Sequence, residues 1–332
     1  MTAGRMPDKP KLVGAPMPAG SPRAALAAID VSPAERASGT LSAPNLAAAL
    51  AALEHDGVVA IRGSVDLRHV DALAAKMLAD LDVFDAGERG PLVNHWQGLR
   101  PPPAHPHLHR DLVFNEQVIA VLRAFLGDRI VLTAYGSNTA YAAGEPDVLQ
   151  RAHIDHGAPQ PEGAPCEAVA IQAVLVDTDE DNGATEYWPG THLAAHPGVL
   201  QDRWPSVDQQ AGWPRGSGRL ASPRGTLVLR DMAMWHRGMP NRTAVHRPML
   251  TMIVRSDELL RTQLRDSKGV STGFEADAGT REFWQHPHLW AAAWLFPTVD
   301  YMFADGHSRP AERPDAGEVV VPVQGVAGLP KL

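Results

Sequence analysis

The stretch "QRAHIDHG", residues 150–157, places two histidines and an aspartate within four positions, His153-Ile154-Asp155-His156. On an extended chain, residues two apart point to the same side, so His153 and Asp155 can serve one ion while Ile154 faces away. A histidine and a carboxylate make half of a metal site, and any further ligand has to come from elsewhere in the fold. The surrounding sequence therefore decides both the fold and the meaning of these residues.

Outward from this stretch, "RIVLTAYGSNTAY" (129–141), "EAVAIQAVLVDT" (167–178), "GTLVLRDMAMWH" (225–236) and "RPMLTMIVRS" (247–256) read as strands separated by Gly, Pro and Asp loops. Helical patterns come before them. Residues 45–57 form a helix with Leu46, Leu50 and Leu53 on one face, Asn45 as its cap and Gly57 as its stop. "VVAIRG" (58–63) is a short buried strand, and 66–81 is a second helix with Val70, Leu73, Met77 and Leu81 on one stripe. A third helix runs over 115–127, capped by Asn115 and stopped by Gly127. Residues 284–296 read as a helix and "GEVVVPV" (317–323) as a last strand. Strands that are not interleaved with helices argue against a parallel βαβ sheet and for a β-rich α+β fold, a sandwich or jelly roll with its core over about 129–256 and flanking helices at both ends. The expected organisation is a disordered or extended lead-in over 1–40, followed by one domain over 41–332.

Composition narrows the function. The chain of 332 residues is 44% hydrophobic and 20% charged, the balance of a soluble globular protein. Its net charge of −8, without a Lys/Arg block, argues against a nucleic-acid or anionic-membrane partner. No apolar run long enough for a transmembrane helix or a signal core is found. Cys166 is the only cysteine, which excludes an intrachain disulfide and a multi-cysteine metal site and suits the cytoplasm. Gly and Pro, 29 each, are scattered as turn punctuation between short strands.

The third ligand that fits best is His236, at the end of the strand over 225–236. Two histidines and one carboxylate on one side of an ion leave positions open, the facial triad of non-haem Fe(II) oxygenases. Eleven residues on stands Arg247, whose planar fork suits a carboxylate. A dicarboxylic cosubstrate, held by iron at one end and by Arg247 at the other, accounts for both features. A rival His-x-Asp pair, His109 and Asp111 in "HLHRD" (107–111), lies just before a helix and not between strands. It also has the form of a kinase catalytic loop, but Glu116 stands where that loop requires Asn. His105, His107 and His109 are read as surface or lid residues.

"QRAHIDHG", "DEDNGATEYWPGTHLA" (179–194) and "WHRGMPNRTAVHRPML" (235–250) together resemble the phytanoyl-CoA dioxygenase family of Fe(II)/2-oxoglutarate oxygenases. The matching positions are Gln150, His153 and Asp155; Asn182-Gly183; Pro189-Gly190-Thr191-His192; and His236, Gly238, Asn241, Thr243 and Arg247, and the likeness spans roughly 45–256. It implies a double-stranded β-helix (jelly roll, cupin-like) core, Fe(II) on His153, Asp155 and His236, 2-oxoglutarate on Arg247, and O2 as the oxidant. Gln150, Thr185 and Gln172 are further cosubstrate candidates, Gln172 because it is a polar residue in an otherwise apolar strand. Asn138, Tyr141, His156 and Trp235 are candidates for lining a small-molecule pocket, together with Tyr187 and Trp188. Related halogenases carry a small residue in place of the carboxylate, so Asp155 points to hydroxylation or another oxidation. Two other readings remain open at this point: a cupin-type metalloenzyme without 2-oxoglutarate, and a non-catalytic binding protein. The aromatics Trp284, Trp290, Trp294, Phe296 and Tyr301 read as packing, with a cover over the site or a homodimer face as further uses.

Overall fold

Alternating apolar residues build the sheet at the centre of the molecule. In a computed structural model the residues described are 13–14, 23–86, 95–96, 101–102, 105–142, 149–155, 165–193, 213, 215–256, 283 and 287–291. In chain order the elements are β1 (Val13–Gly14), β2 (Ala28–Asp30), α1 (Pro33–Ser38), α2 (Ala43–Asp56), β3 (Val58–Arg62), α3 (Leu67–Ala86) and β4 (His95–Trp96). They continue with α4 (Arg110–Val113), α5 (Glu116–Leu126), β5 (Ile130–Ser137), β6 (Thr139–Ala140), β7 (Leu149–Gln150) and β8 (Ala168–Val174). The chain closes with β9 (Glu186–Tyr187), β10 (Gly218–Arg219), β11 (Leu227–Asp231), β12 (His236–Arg237), β13 (Met249–Ser256) and β14 (Leu289–Ala291).

Seven strands form one mixed sheet in the order β14-β5-β13-β8-β11-β3-β2, and three form a smaller one, β10-β9-β12. Only the outermost pairs of the large sheet, β14 with β5 and β2 with β3, run parallel. The period-2 pattern sends each strand to both sides. Val59, Ile61, Val169, Ile171, Leu227, Leu229, Leu250 and Met252 pack with α2, α3 and α5 in the main core. Val58, Ala60, Val174 and Val228 face the small sheet and meet Tyr187, Leu220 and Met234. Helices thus cover one side of the large sheet while the small sheet covers the other, the two-sheet β-fold expected from the strand pattern.

The helices follow their sequence signals with one shift. In α3 the stripe Val70, Leu73, Met77 and Leu81 is at most 1% exposed. Asn115 caps α5 by accepting from the Val118 N–H at 3.1 Å. Gly57, in the left-handed conformation at φ 76°, ends α2 as expected. The start of α2 differs. The helix begins at Ala43 after Ser42, with Pro44 in its first turn, and Asn45 instead donates its side-chain amide to Glu35 at 2.9 and 3.1 Å. A proline in the first turn costs no hydrogen bond, which moves the helix start upstream of Asn45.

Two expectations about the ends of the chain are corrected. Within the lead-in, β2 pairs with β3 and α1 is a capped helix, so the folded part begins before residue 41. Its signal was the Ser32-Pro-Ala-Glu35 pattern: Ser32 Oγ accepts from the Glu35 N–H at 3.2 Å, and Glu35 accepts from the Ser32 N–H at 2.8 Å. In the segment expected to be helical over 284–296, Leu289–Ala291 is a strand paired with Ile130–Leu132. Pro287 disfavours helix in the residue before it, and the exposed edge of β5 offers hydrogen-bonding groups for an extended segment to fill. The remainder of 284–296, except Pro287 and His288, and all of 317–323 lie outside the described residues.

Candidate metal centre

The large sheet and the small one bring His153 and His236 side by side. The two residues form an isolated antiparallel bridge, with His153 N–H to His236 C=O at 2.9 Å and the reverse bond at 3.0 Å. Two residues on, the Asp155 N–H donates to Met232 C=O at 3.1 Å. The residues that alternate with the ligand candidates point away from them. Ala152 and Ile154 pack with Trp188, Trp213 and Trp235 in a cluster whose tryptophans are at most 5% exposed. This aromatic anchor turns His153, Asp155 and His236 to one side.

Their ligating atoms lie within 4.8 Å of one another. His153 Nε2 is 3.7 Å from Asp155 Oδ1, and His236 Nε2 is 3.5 Å from Asp155 Oδ2. Both histidines are tied at the opposite nitrogen. His153 Nδ1 lies 2.9 Å from Arg151 C=O, and His236 Nδ1 lies 3.1 Å from Met234 C=O. A carbonyl can only accept, so each Nδ1 carries the proton and each Nε2 presents a lone pair toward the carboxylate. Burial lowers the pKa of His153 despite the nearby Asp155 charge. Burial together with the Arg230 charge takes His236 well below its ordinary value. Burial opposes ionisation of Asp155, but the charge and hydrogen bond of Arg230 help to hold the carboxyl below its usual range. Two neutral imidazoles and an ionised carboxylate are a fitting donor set for a divalent first-row metal.

The other sequence candidates separate by position. Arg247 is 2% exposed and stays cationic at neutral pH, although burial lowers its pKa to about 10. Its guanidinium meets backbone carbonyls: Nη2 to Gly183 at 2.9 Å, Nη1 to Asn138 at 3.3 Å and Nε to Asn182 at 3.4 Å. The expected carboxylate fork is therefore spoken for in this arrangement, mostly through long bonds. Gln150 Oε1 accepts from the Gly238 N–H at 2.6 Å and so fixes the turn after His236. Gln172 is 2% exposed and stands opposite Thr251 in the sheet; neither side-chain oxygen has a hydrogen-bond partner among the described residues. Thr185 is buried beside β9. Asn138 is half-buried, at the end of β5. Tyr141 is 3% exposed and stacks edge-on with His246. Trp235, 3% exposed, packs in the tryptophan cluster with Trp188 and Trp213. His156 lies outside the described residues.

The motif turns have structural work. Asn241, fully buried, donates to Ala140 and Val245 carbonyls and accepts from Thr243, closing the turn between β12 and β13. Gly183 has φ 89°, and a Cβ there would lie 2.7 Å from the Met239 carbonyl oxygen, so only glycine fits. The rival "HLHRD" resolves as a tie between helices. Asp111 accepts from His69 Nδ1 at 2.8 Å and from the Asp66 N–H at 2.7 Å, and His69 stacks on His109 at 4.4 Å. Among the described residues, His153, Asp155 and His236 are the only group of three with metal-ligand spacing.

Sequence reasoning missed Arg230. It lies in β11, 2% exposed, and its Nη2 donates to Asp155 Oδ2. A charged residue inside the apolar run "TLVLRDMAMW" was the available signal. It also missed the buried pair of Arg237 and Glu186, at 2.6 Å, which joins β12 to β9 beside His236.

The fold and this trio define a class: a cupin-like jelly roll built around a two-histidine, one-carboxylate site. The sequence pattern of the family described as "Phytanoyl-CoA dioxygenase (PhyH)" matches residues 53–249, more than half of the chain. The chain belongs to the phytanoyl-CoA dioxygenase family, and so to the non-haem iron and 2-oxoglutarate-dependent oxygenases, whose cofactor and cosubstrates are Fe(II), 2-oxoglutarate and O2. Membership sets aside the reading as a metalloenzyme without 2-oxoglutarate and the non-catalytic one. Solved structures similar to it include the epimerase SnoN in complex with Fe3+, alpha ketoglutarate and nogalamycin RO (18% identity, 65% of this chain and 85% of that one, TM-score 0.49). Others are HygX from Streptomyces hygroscopicus with nickel and 2-oxoglutarate bound (16%, 65% and 88%, TM-score 0.47) and AviO1 from Streptomyces viridochromogenes Tue57 (19%, 65% and 97%, TM-score 0.45). Among the described residues no helix is long and apolar enough to cross a membrane.

Proposed function

We propose that His153, Asp155 and His236 hold Fe(II), that Arg247 binds the distal carboxylate of 2-oxoglutarate, and that the enzyme hydroxylates a small biosynthetic molecule in the cytoplasm. The observation that carries this reading is the convergence of two Nδ1-tethered imidazoles and one carboxylate within 4.8 Å. Bound iron with 2-oxoglutarate and O2 supplies an oxidant able to take a hydrogen atom from carbon, with succinate and CO2 as co-products.

The chain's own residues bind and orient. The Arg151 and Met234 carbonyls fix both imidazole planes, and the tryptophan cluster holds the strand segments that carry them. Arg247 takes the cosubstrate carboxylate by giving up its two long contacts, to Asn138 and Asn182. Gln172 and Thr251, with unsatisfied oxygens, are the polar groups that face the bound molecules. On the same face Ala134, Gly136, Asn138 and Ile253 are partly exposed, and their modest side chains leave room for a substrate. Asp155 supports oxidation in preference to halogenation, because the carboxylate occupies the position a halide would need.

The test is anaerobic. Fe(II) plus 2-oxoglutarate should give a weak visible charge-transfer band that His153→Ala loses, and air should then yield succinate. A protein that shows neither the band nor succinate overturns the proposal.

A further inference from the structure

We propose that Arg230 is a positioning residue of the metal centre: it holds one oxygen of Asp155, so that the carboxylate meets the metal through its other oxygen alone. The inference rests on the ligand reading given above. Asp155 is not on a regular strand; it lies at a bend, and its side chain is 31% exposed, at the edge of the site. Among the described residues, its backbone is tethered to Met232 C=O. Arg230 supplies a second tether, to the side chain itself, from the floor of the large sheet.

The surroundings of Arg230 fit this role. Its side chain is 3% exposed, and it stands in register with Ala170 on β8 and Val58 on β3, two apolar neighbours. Its ion pair among the described residues is with Asp155, through Nη2 and Oδ2. Nη1 reaches the Asp231 carbonyl at 3.3 Å, and Nε is buried with no hydrogen-bond partner among the described residues. A buried guanidinium requires an anion, and a guanidinium gripped at one end by its own strand cannot follow a carboxylate that swings. With Oδ2 engaged, Oδ1 is left to the metal. A carboxylate bound through both oxygens would take a further coordination position, one that the cosubstrate and O2 require. Outer partners that orient ligands in this way typically change metal affinity by about 10–100-fold when removed.

The experiment titrates the purified full-length protein with Ni(II) by calorimetry and records the visible spectrum with Co(II). Arg230→Gln should bind Ni(II) about 10–100-fold more weakly and give an altered Co(II) spectrum, with folding checked by circular dichroism. Arg230→Lys, which keeps the charge without the fork, should recover part of the affinity. Wild-type affinity and spectrum in both variants overturn the proposal. If wild-type protein binds no Ni(II), or if His153→Ala binds it equally well, the ligand reading fails instead. Should the variants not fold, a crystal structure of wild-type protein with Ni(II) decides. One Asp155 oxygen on the metal and the other on Arg230 supports the inference, and a carboxylate bound through both oxygens overturns it.

Discussion

Arg247 shows how one residue serves structure and chemistry together. Its fork supports the Asn182–Gly183 turn, and its charge is buried without an acidic partner among the described contacts. A charge-assisted contact is worth about 1.5–3 kcal/mol, so Arg247→Ala should raise the KM for 2-oxoglutarate about 10–100-fold. Loss of the turn alone would lower stability without changing cosubstrate choice. The check is therefore selectivity: the preference of the wild type for 2-oxoglutarate over 2-oxo acids lacking the distal carboxylate should collapse in the variant. An unchanged preference would place the cosubstrate contact elsewhere.

At the scale of elements, short polar contacts decide where helices begin. Glu35 links α1 to α2, accepting from the Ser42 N–H at 2.7 Å, the Ser32 N–H at 2.8 Å and the Asn45 amide. Those hydrogen bonds, led by Ser42, lower its pKa to about 2. A carboxyl whose folded pKa is depressed adds stability that is fully present above its unfolded value, about 4.3, and is lost as pH falls toward 2. Glu35→Gln should therefore flatten the stability profile between about pH 4.3 and pH 2 while leaving its slope above pH 5 unchanged. Chemical denaturation at a series of pH values measures this, and an unchanged slope below pH 4.3 would contradict it. The pattern Ser32-x-x-Glu35 is a capping-box signal that the sequence carries but that the expectation of a disordered or extended lead-in passed over. The strand at Leu289–Ala291 was not, because its partner β5 lies more than 150 residues earlier and only contact reveals the vacant edge.

For the whole molecule, the metal should act as a staple. His153 and Asp155 lie on an irregular segment joined to 232–237 by three backbone hydrogen bonds, with the tryptophan cluster behind it. A metal that binds only the folded state at about 100 times its Kd adds about 2.7 kcal/mol. Ni(II) or Fe(II) under argon should therefore raise the melting temperature, a chelator should reverse the rise, and His236→Ala should abolish it. A melting temperature indifferent to metal in the wild type would contradict the ligand assignment.

The sequence by itself determined what is periodic or locally bonded. The stripes of α2 and α3, the β-rich centre, the cap at Asn115 and the pairing of His153 with Asp155 follow from spacing along one segment. The likeness of three motifs carried His236 and Arg247 as well. Only the tertiary structure decided which nitrogen each histidine presents, which polar residues meet, and that Trp235 packs while Arg230 reaches Asp155. Hydrogen-bond partners such as Met232, Met234 and Gly183 are backbone groups, which carry no identity in the sequence. A charge such as Arg230 finds its partner 75 residues away only once the sheet has closed around both.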